Sequence, residues 1–89
     1  MIHISKNILG KKLDGEWVFL NMNNGIYYGL NEMGSLIWDE ITARKDVEAV
    51  VGSLQSIFAV ERSQAERDLK EFLKDLKREG LIELEGSLA

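Results

Sequence analysis

The chain has 89 residues, with 11 Lys plus Arg against 15 Asp plus Glu, one His, no Cys and no Pro, and 45% of its residues are apolar. At this length it is expected to form one domain, 1–89, around one core, because folding buries only about 60–65% of the unfolded surface at this size; the lack of cysteine excludes disulfides, thiolate metal sites and a cysteine nucleophile. A formal charge of −4 disfavours nucleic acid as a partner, and the absence of a long apolar run or of signal-peptide features in residues 1–10 leads us to expect a cytoplasmic protein that does not enter a membrane.

Strand signals come first. Ile8 to Leu13, Glu16 to Asn21 and Ile26 to Leu30 are separated by the turn formers Asp14-Gly15 and Asn23-Asn24-Gly25, which predicts a three-stranded antiparallel meander. Side chains alternate along strands, so Ile26, Tyr28 and Leu30 share one face, and Tyr27 and Gly29 the other. Trp17 and Phe19 oppose Val18 and Leu20 in the same way. Both faces of the sheet are therefore partly apolar. One must cover the core, and the other calls for a packed N-terminal segment or a partner.

The period then becomes helical. Asn31 is a predicted N-cap for a helix with Met33, Leu36, Ile37 and Ile41 inward and Trp38 beside them. Asp46 precedes a second helix whose inner stripe is Val47, Val50, Val51, Leu54, Ile57 and Phe58. Ser63-Gln64-Ala65-Glu66 reads as a capping box opening a third, with Ala65, Leu69, Phe72, Leu73 and Leu76 inward and Gly80 as its left-handed stop. Leu81 to Glu85 fits a hydrophobic contact or one short strand, and a Gly86-Ser87 tail is expected to fray. The fold class is α+β, winged helix-turn-helix-like, with an N-terminal three-stranded sheet followed by three helices.

Catalytic chemistry is sparse. His3 is the only imidazole and falls in an N-terminal segment expected to be mobile, so no Ser/His pair, multi-histidine metal site or fixed general base is expected. Carboxylate pairs such as Asp39/Glu40, Glu61/Glu66 and Asp68/Glu71 fit solvated helix surface. We expect no catalytic residue, no metal and no cofactor. Two features stand out. Gly29 interrupts an apolar strand, which marks a bulge, crowding by the first helix, or close approach of another backbone. The third helix sorts its charges: Lys70, Lys74 and Lys77 on one flank of the apolar stripe, Asp68, Asp75 and Glu79 on the other. These are either ion-pairing surface or the rim of a groove.

Gly25-Ile26-Tyr27-Tyr28-Gly29-Leu30-Asn31, then Gly34 and Ile37-Trp38, resembles the Gly-x-Tyr-Tyr-x-Leu-Asn and Gly-x-x-Ile-Trp run of the PqqD-like family, the recognition elements for ribosomally made, post-translationally modified peptides. Asp68, Phe72-Leu73, Leu76 and Gly80-Leu81-Ile82 meet its later pattern, so the resemblance spans about residues 8 to 84. It implies a protein that is not an enzyme. Such a protein takes the leader segment of a precursor peptide as an added strand between the third strand and third helix, and presents it to a maturation enzyme such as a leader protease, cyclase or radical SAM enzyme. On that reading Gly25, Ile26, Tyr27, Tyr28, Gly29 and Leu30, with Asp68, Lys70, Phe72, Asp75, Leu76 and Lys77, form the peptide-binding cleft. Tyr28, Leu30, Phe72 and Leu76 equally fit plain core.

The Gly-x-Tyr-Tyr and Ile-Trp signatures in a freestanding chain look more like the lasso-peptide type than the pyrroloquinoline quinone chaperone, which usually carries prolines near its strands. That chaperone remains an alternative. So does a winged-helix transcription regulator, which the helix order permits but the acidic residues of the third helix oppose. The open strand edge also admits a homodimer.

Overall fold

The structure, a computed structural model, describes residues 2–84. Three antiparallel strands form the expected meander: β2 (Ile8–Leu13), β3 (Glu16–Asn21) and β4 (Ile26–Gly29), in the order β2-β3-β4. Asp14 (φ 51°) and Gly15 (φ 84°) turn the first hairpin, as two-residue type I′ loops require. At the second turn the N–H of Gly25 donates to Asn21 O (2.8 Å), and Asn24 Oδ1 accepts from the N–H of Ile26 (2.9 Å). The register pairs Phe19 with Tyr28 and Leu20 with Tyr27 without a break, so Gly29 is not a bulge.

Three helices follow: α1 (Glu32–Arg44), α2 (Val47–Phe58) and α3 (Arg62–Arg78). Asn31 caps α1 by accepting from the N–H of Gly34, and Asp46 caps α2 by accepting from that of Ala49. Helix α3 ends in a Schellman motif. The N–H of Leu81 donates to Leu76 O (2.9 Å), that of Gly80 to Lys77 O (3.0 Å), and Gly80 takes φ 76°. Its start differs from expectation. The helix begins at Arg62 behind Glu61, which makes no side-chain cap, so Ser63 lies inside the first turn and no capping box forms.

The N-terminal segment is likewise not loose. Strand β1 (Ile2–Ile4) pairs antiparallel with β5 (Ile82–Leu84) as a second, two-stranded sheet, placing His3 opposite Glu83. Ile2 is sealed from solvent, its N–H donates to Lys45 O (3.0 Å), and the N–H of Ser5 donates to Leu81 O (3.0 Å). This sheet ties the chain's start to the α1–α2 link and to the end of α3. The expected frayed tail at Gly86-Ser87, and Glu85, lie outside the described residues.

One core joins the parts: Phe19 and Leu30, then Ile37, Trp38 and Ile41 of α1, Val50, Val51 and Leu54 of α2, and Ala65, Leu69, Leu73 and Leu76 of α3. Phe19 anchors the sheet to α1, its ring 4.6 Å from that of Trp38 and stacked at 5.6 Å on Trp17. Helix α1 is rotated relative to its expected stripe. Gly34, Ile37, Trp38 and Ile41 turn inward, while Met33 (58% exposed) and Leu36 (44%) face out; Ile57 of α2 is also exposed. Gly34 sits where α1 meets α3, with Phe72 in van der Waals reach and the capping oxygen of Asn31 closer still.

Candidate functional site

Strand β4 is an edge. Among the described residues only β3 pairs with it. The N–H of Leu30, the residue after β4, donates to Trp17 O (2.8 Å), so antiparallel alternation turns Tyr28 toward β3 as well. Tyr27 and Gly29 therefore direct their N–H and C=O groups away from the sheet, toward an empty strand position.

Beside that edge runs a groove of about 390 Å³. One wall comes from β4 and the start of α1: Tyr28, Gly29, Leu30, Asn31, Met33, Gly34 and Ile37. The other comes from α3: Asp68, Glu71, Phe72 and Asp75. The helical period explains the second wall, since residues 68, 71, 72 and 75 follow i, i+3, i+4, i+7 and stack on one face, next to the buried stripe. Phe72 supplies an apolar floor and the three carboxylates a rim.

Side chains on α1 hold the first wall in place. Ser35, fully buried, accepts from the N–H of Trp17 (2.8 Å) and donates to Leu30 O (3.4 Å). Asp39 accepts from Trp17 Nε1 (2.8 Å) and from Lys12 Nζ (2.6 Å). The meander is thus bolted to α1 at both ends of Trp17. Burial raises the Tyr28 phenol above its ordinary value, and the carboxylates of Asp75 and Glu79 push the same way against the opposing Arg78. The phenol stays protonated and able to donate.

Of the residues expected from the sequence, the groove gathers Tyr28, Gly29, Leu30, Asp68, Phe72 and Asp75. Gly25, Ile26 and Tyr27 lie along the turn and β4, outside the lining, and Tyr27 is 70% exposed on the opposite face of the sheet. Leu76 is fully buried beneath. Lys70 and Lys77 are exposed and do not line the groove; the acidic flank does. Sequence reasoning did not place Met33, Gly34 or Ile37 in the groove. It missed Glu71 too, though its spacing from Asp68 was a usable signal.

A larger hollow of about 750 Å³ lies at the β1–β5 sheet, lined by residues 2–7, Lys45, Glu83 and Leu84. It has no open strand edge of the meander and adjoins the end of the described chain. No described helix is long and apolar enough to cross a membrane.

The chain is similar to known proteins along most of its length. The family model of coenzyme PQQ synthesis protein D (PqqD) matches residues 16–82. A solved structure described as TbiB1 in complex with the TbiA(beta) leader peptide is 33% identical, with a TM-score of 0.87, covering 96% of this chain and 99% of that one. Another, lasso peptide synthetase B1 complexed with the leader peptide, is 28% identical with a TM-score of 0.82, covering 93% and 98%. No curated protein matches the chain.

Proposed function

The chain belongs to the PqqD family, and from that premise we propose that it binds the leader segment of a ribosomally made precursor peptide as an added strand along β4, and presents it to a peptide-maturation enzyme. The pathway type we infer is lasso-peptide biosynthesis. Two solved chains of the same fold, each covered almost in full, are described as complexes with a leader peptide, one of them as lasso peptide synthetase B1. The observation that carries the reading is the unpaired edge of β4 beside the groove.

Strand addition is a known use of such an edge: main-chain hydrogen bonds supply affinity, and pockets for alternate side chains supply selectivity. Here the ladder donors and acceptors are those of Tyr27 and Gly29. Inward-pointing side chains of the peptide meet Tyr28, Leu30 and Phe72, and its charges meet Asp68, Glu71 and Asp75 rather than Lys70 and Lys77. Leu76 supports the floor from within the core. One strand with a few anchors corresponds to about −8 to −10 kcal/mol, micromolar to tens of nanomolar. The task needs no reactive group, and we read the chain as a binding module without catalysis. We read the fold as winged helix-turn-helix-like, and its compartment as the cytoplasm, where a ribosomal precursor first appears.

Titration of the chain with the leader peptide encoded beside its gene, followed by calorimetry and amide NMR, tests this. Saturable binding with shifts at residues 25–30 and along the Asp68–Asp75 face of α3 is expected. No binding, or shifts confined to other surfaces, overturns it.

A further inference from the structure

Gly29 has no role that the free chain explains. Its backbone is not in the left-handed region, its pairing with Val18 is regular, and a Cβ built on it meets nothing within 4 Å. Neither conformation nor crowding by α1 requires glycine there, yet glycine in a strand weakens it. The missing side chain belongs to the outer face of the sheet, shared with Tyr27 and Val18, opposite to the groove.

The same molecule shows what such a vacancy accommodates. In the β2–β3 pair Gly10 stands directly across from Phe19, and the ring lies over the glycine, with Cε1 2.8 Å and Cδ1 2.9 Å from where a Cβ would be. An aromatic ring laid across a cross-strand glycine covers its backbone and reaches the next strand. At Gly29 the equivalent place is open: the residue across from it on β3 is Val18, which leaves it uncovered, and the strand position on its other side is empty.

We propose that Gly29 is a seat on the outer face for an aromatic side chain of the incoming peptide, at the residue directly opposite it. This rests on the strand-addition reading and extends recognition from the groove to the other face. Directly opposed residues point to the same side of a sheet, so a peptide residue across from Gly29 projects outward beside Tyr27. From the added strand to Val18 is two strand spacings, about 10 Å. A flat ring folded down over a glycine crosses enough of that span to touch Val18, whereas a short aliphatic chain does not. Any Cβ at position 29 would prop the ring off the sheet.

The two states therefore respond to substitution with opposite signs. In the free chain G29A and G29V fill open space in an allowed strand conformation, and Tm is expected to rise by about 2–8 °C. Affinity for the leader encoded beside the gene is expected to fall, about threefold for G29A and tenfold or more for G29V. In the wild-type complex, NMR should give contacts between Gly29 Hα and the ring protons of one aromatic leader residue, and replacing that residue by Ala should abolish the difference between wild type and G29V. Leader binding by wild type with an unchanged affinity in G29V, or with no ring contact at Gly29, overturns the seat and leaves strand addition standing. Failure of wild type to bind the leader removes the underlying reading, and the seat with it.

Discussion

Gly10 is where a single added methyl should do most damage. The ring it would strike is Phe19, 1% exposed and wedged between Trp17 and Trp38, so it has nowhere to move. We predict that G10A destabilises the chain by about 1–3 kcal/mol in urea unfolding, the ordinary cost of overpacking. The contrast with G29A is informative: both glycines sit in edge strands of one sheet, but Gly10 faces a buried ring on the core side and Gly29 open space on the outer side.

Asp39 carries the other residue-level prediction. Burial alone would raise its pKa and is the largest single influence, but hydrogen bonds from Lys12 and Trp17, with the charge of Lys12, outweigh it and hold the carboxyl below its ordinary 3.8. A depressed folded value means the carboxylate's contribution is complete above the unfolded value and is lost as pH falls through the folded one. Thermal melts should therefore show D39N less stable than wild type near neutral pH, with the gap closing below about pH 4. A gap independent of pH would mean that the charge of Asp39 does not brace Trp17.

Among the elements, the helix starts separate what is local from what is not. Asn31 and Asp46 act as caps because the accepting oxygen and the amide it satisfies lie three residues apart. Ser63 has the same pattern but sits two residues too late. Arg62 is drawn into α3 by ion pairs to Glu66 on its own helix and Glu48 on α2, and the Ala65 N–H closes the first turn on Glu61 O (3.0 Å). We predict that D46A costs about 1 kcal/mol in chemical denaturation, while S63A stays within about 0.5 kcal/mol. Strand β1 was illegible for a related reason: three residues of modest pattern form a strand only because β5, at the far end of the chain, offers a partner.

At the scale of the whole molecule, charge and shape act together. The acidic flank of α3 faces the groove, and the chain as a whole carries −4. Neutralising the other flank should accordingly leave recognition alone: K70Q/K77Q is predicted to bind the leader within about twofold of wild type, by calorimetry at moderate salt. A larger loss would put the peptide against the basic flank. The groove's first wall is also held independently of any ligand, through Ser35 and Asp39, so that wall is expected to change little on binding.

The amino-acid sequence by itself determined what short-range chemistry can decide. Two turn signals and strict alternation set the β2-β3-β4 meander and which residues share its faces, the i, i+3, i+4, i+7 pattern set three helices, and Asn31, Asp46 and Gly80 set their ends. Only the tertiary structure decided which way each helix is rolled. That choice exposes Met33 and Leu36, and brings Asp68, Glu71 and Asp75 rather than the lysines beside β4. A helix's own sequence defines two flanks equally well, but the one that meets a neighbour is chosen by how the buried stripe packs against elements far away in the chain.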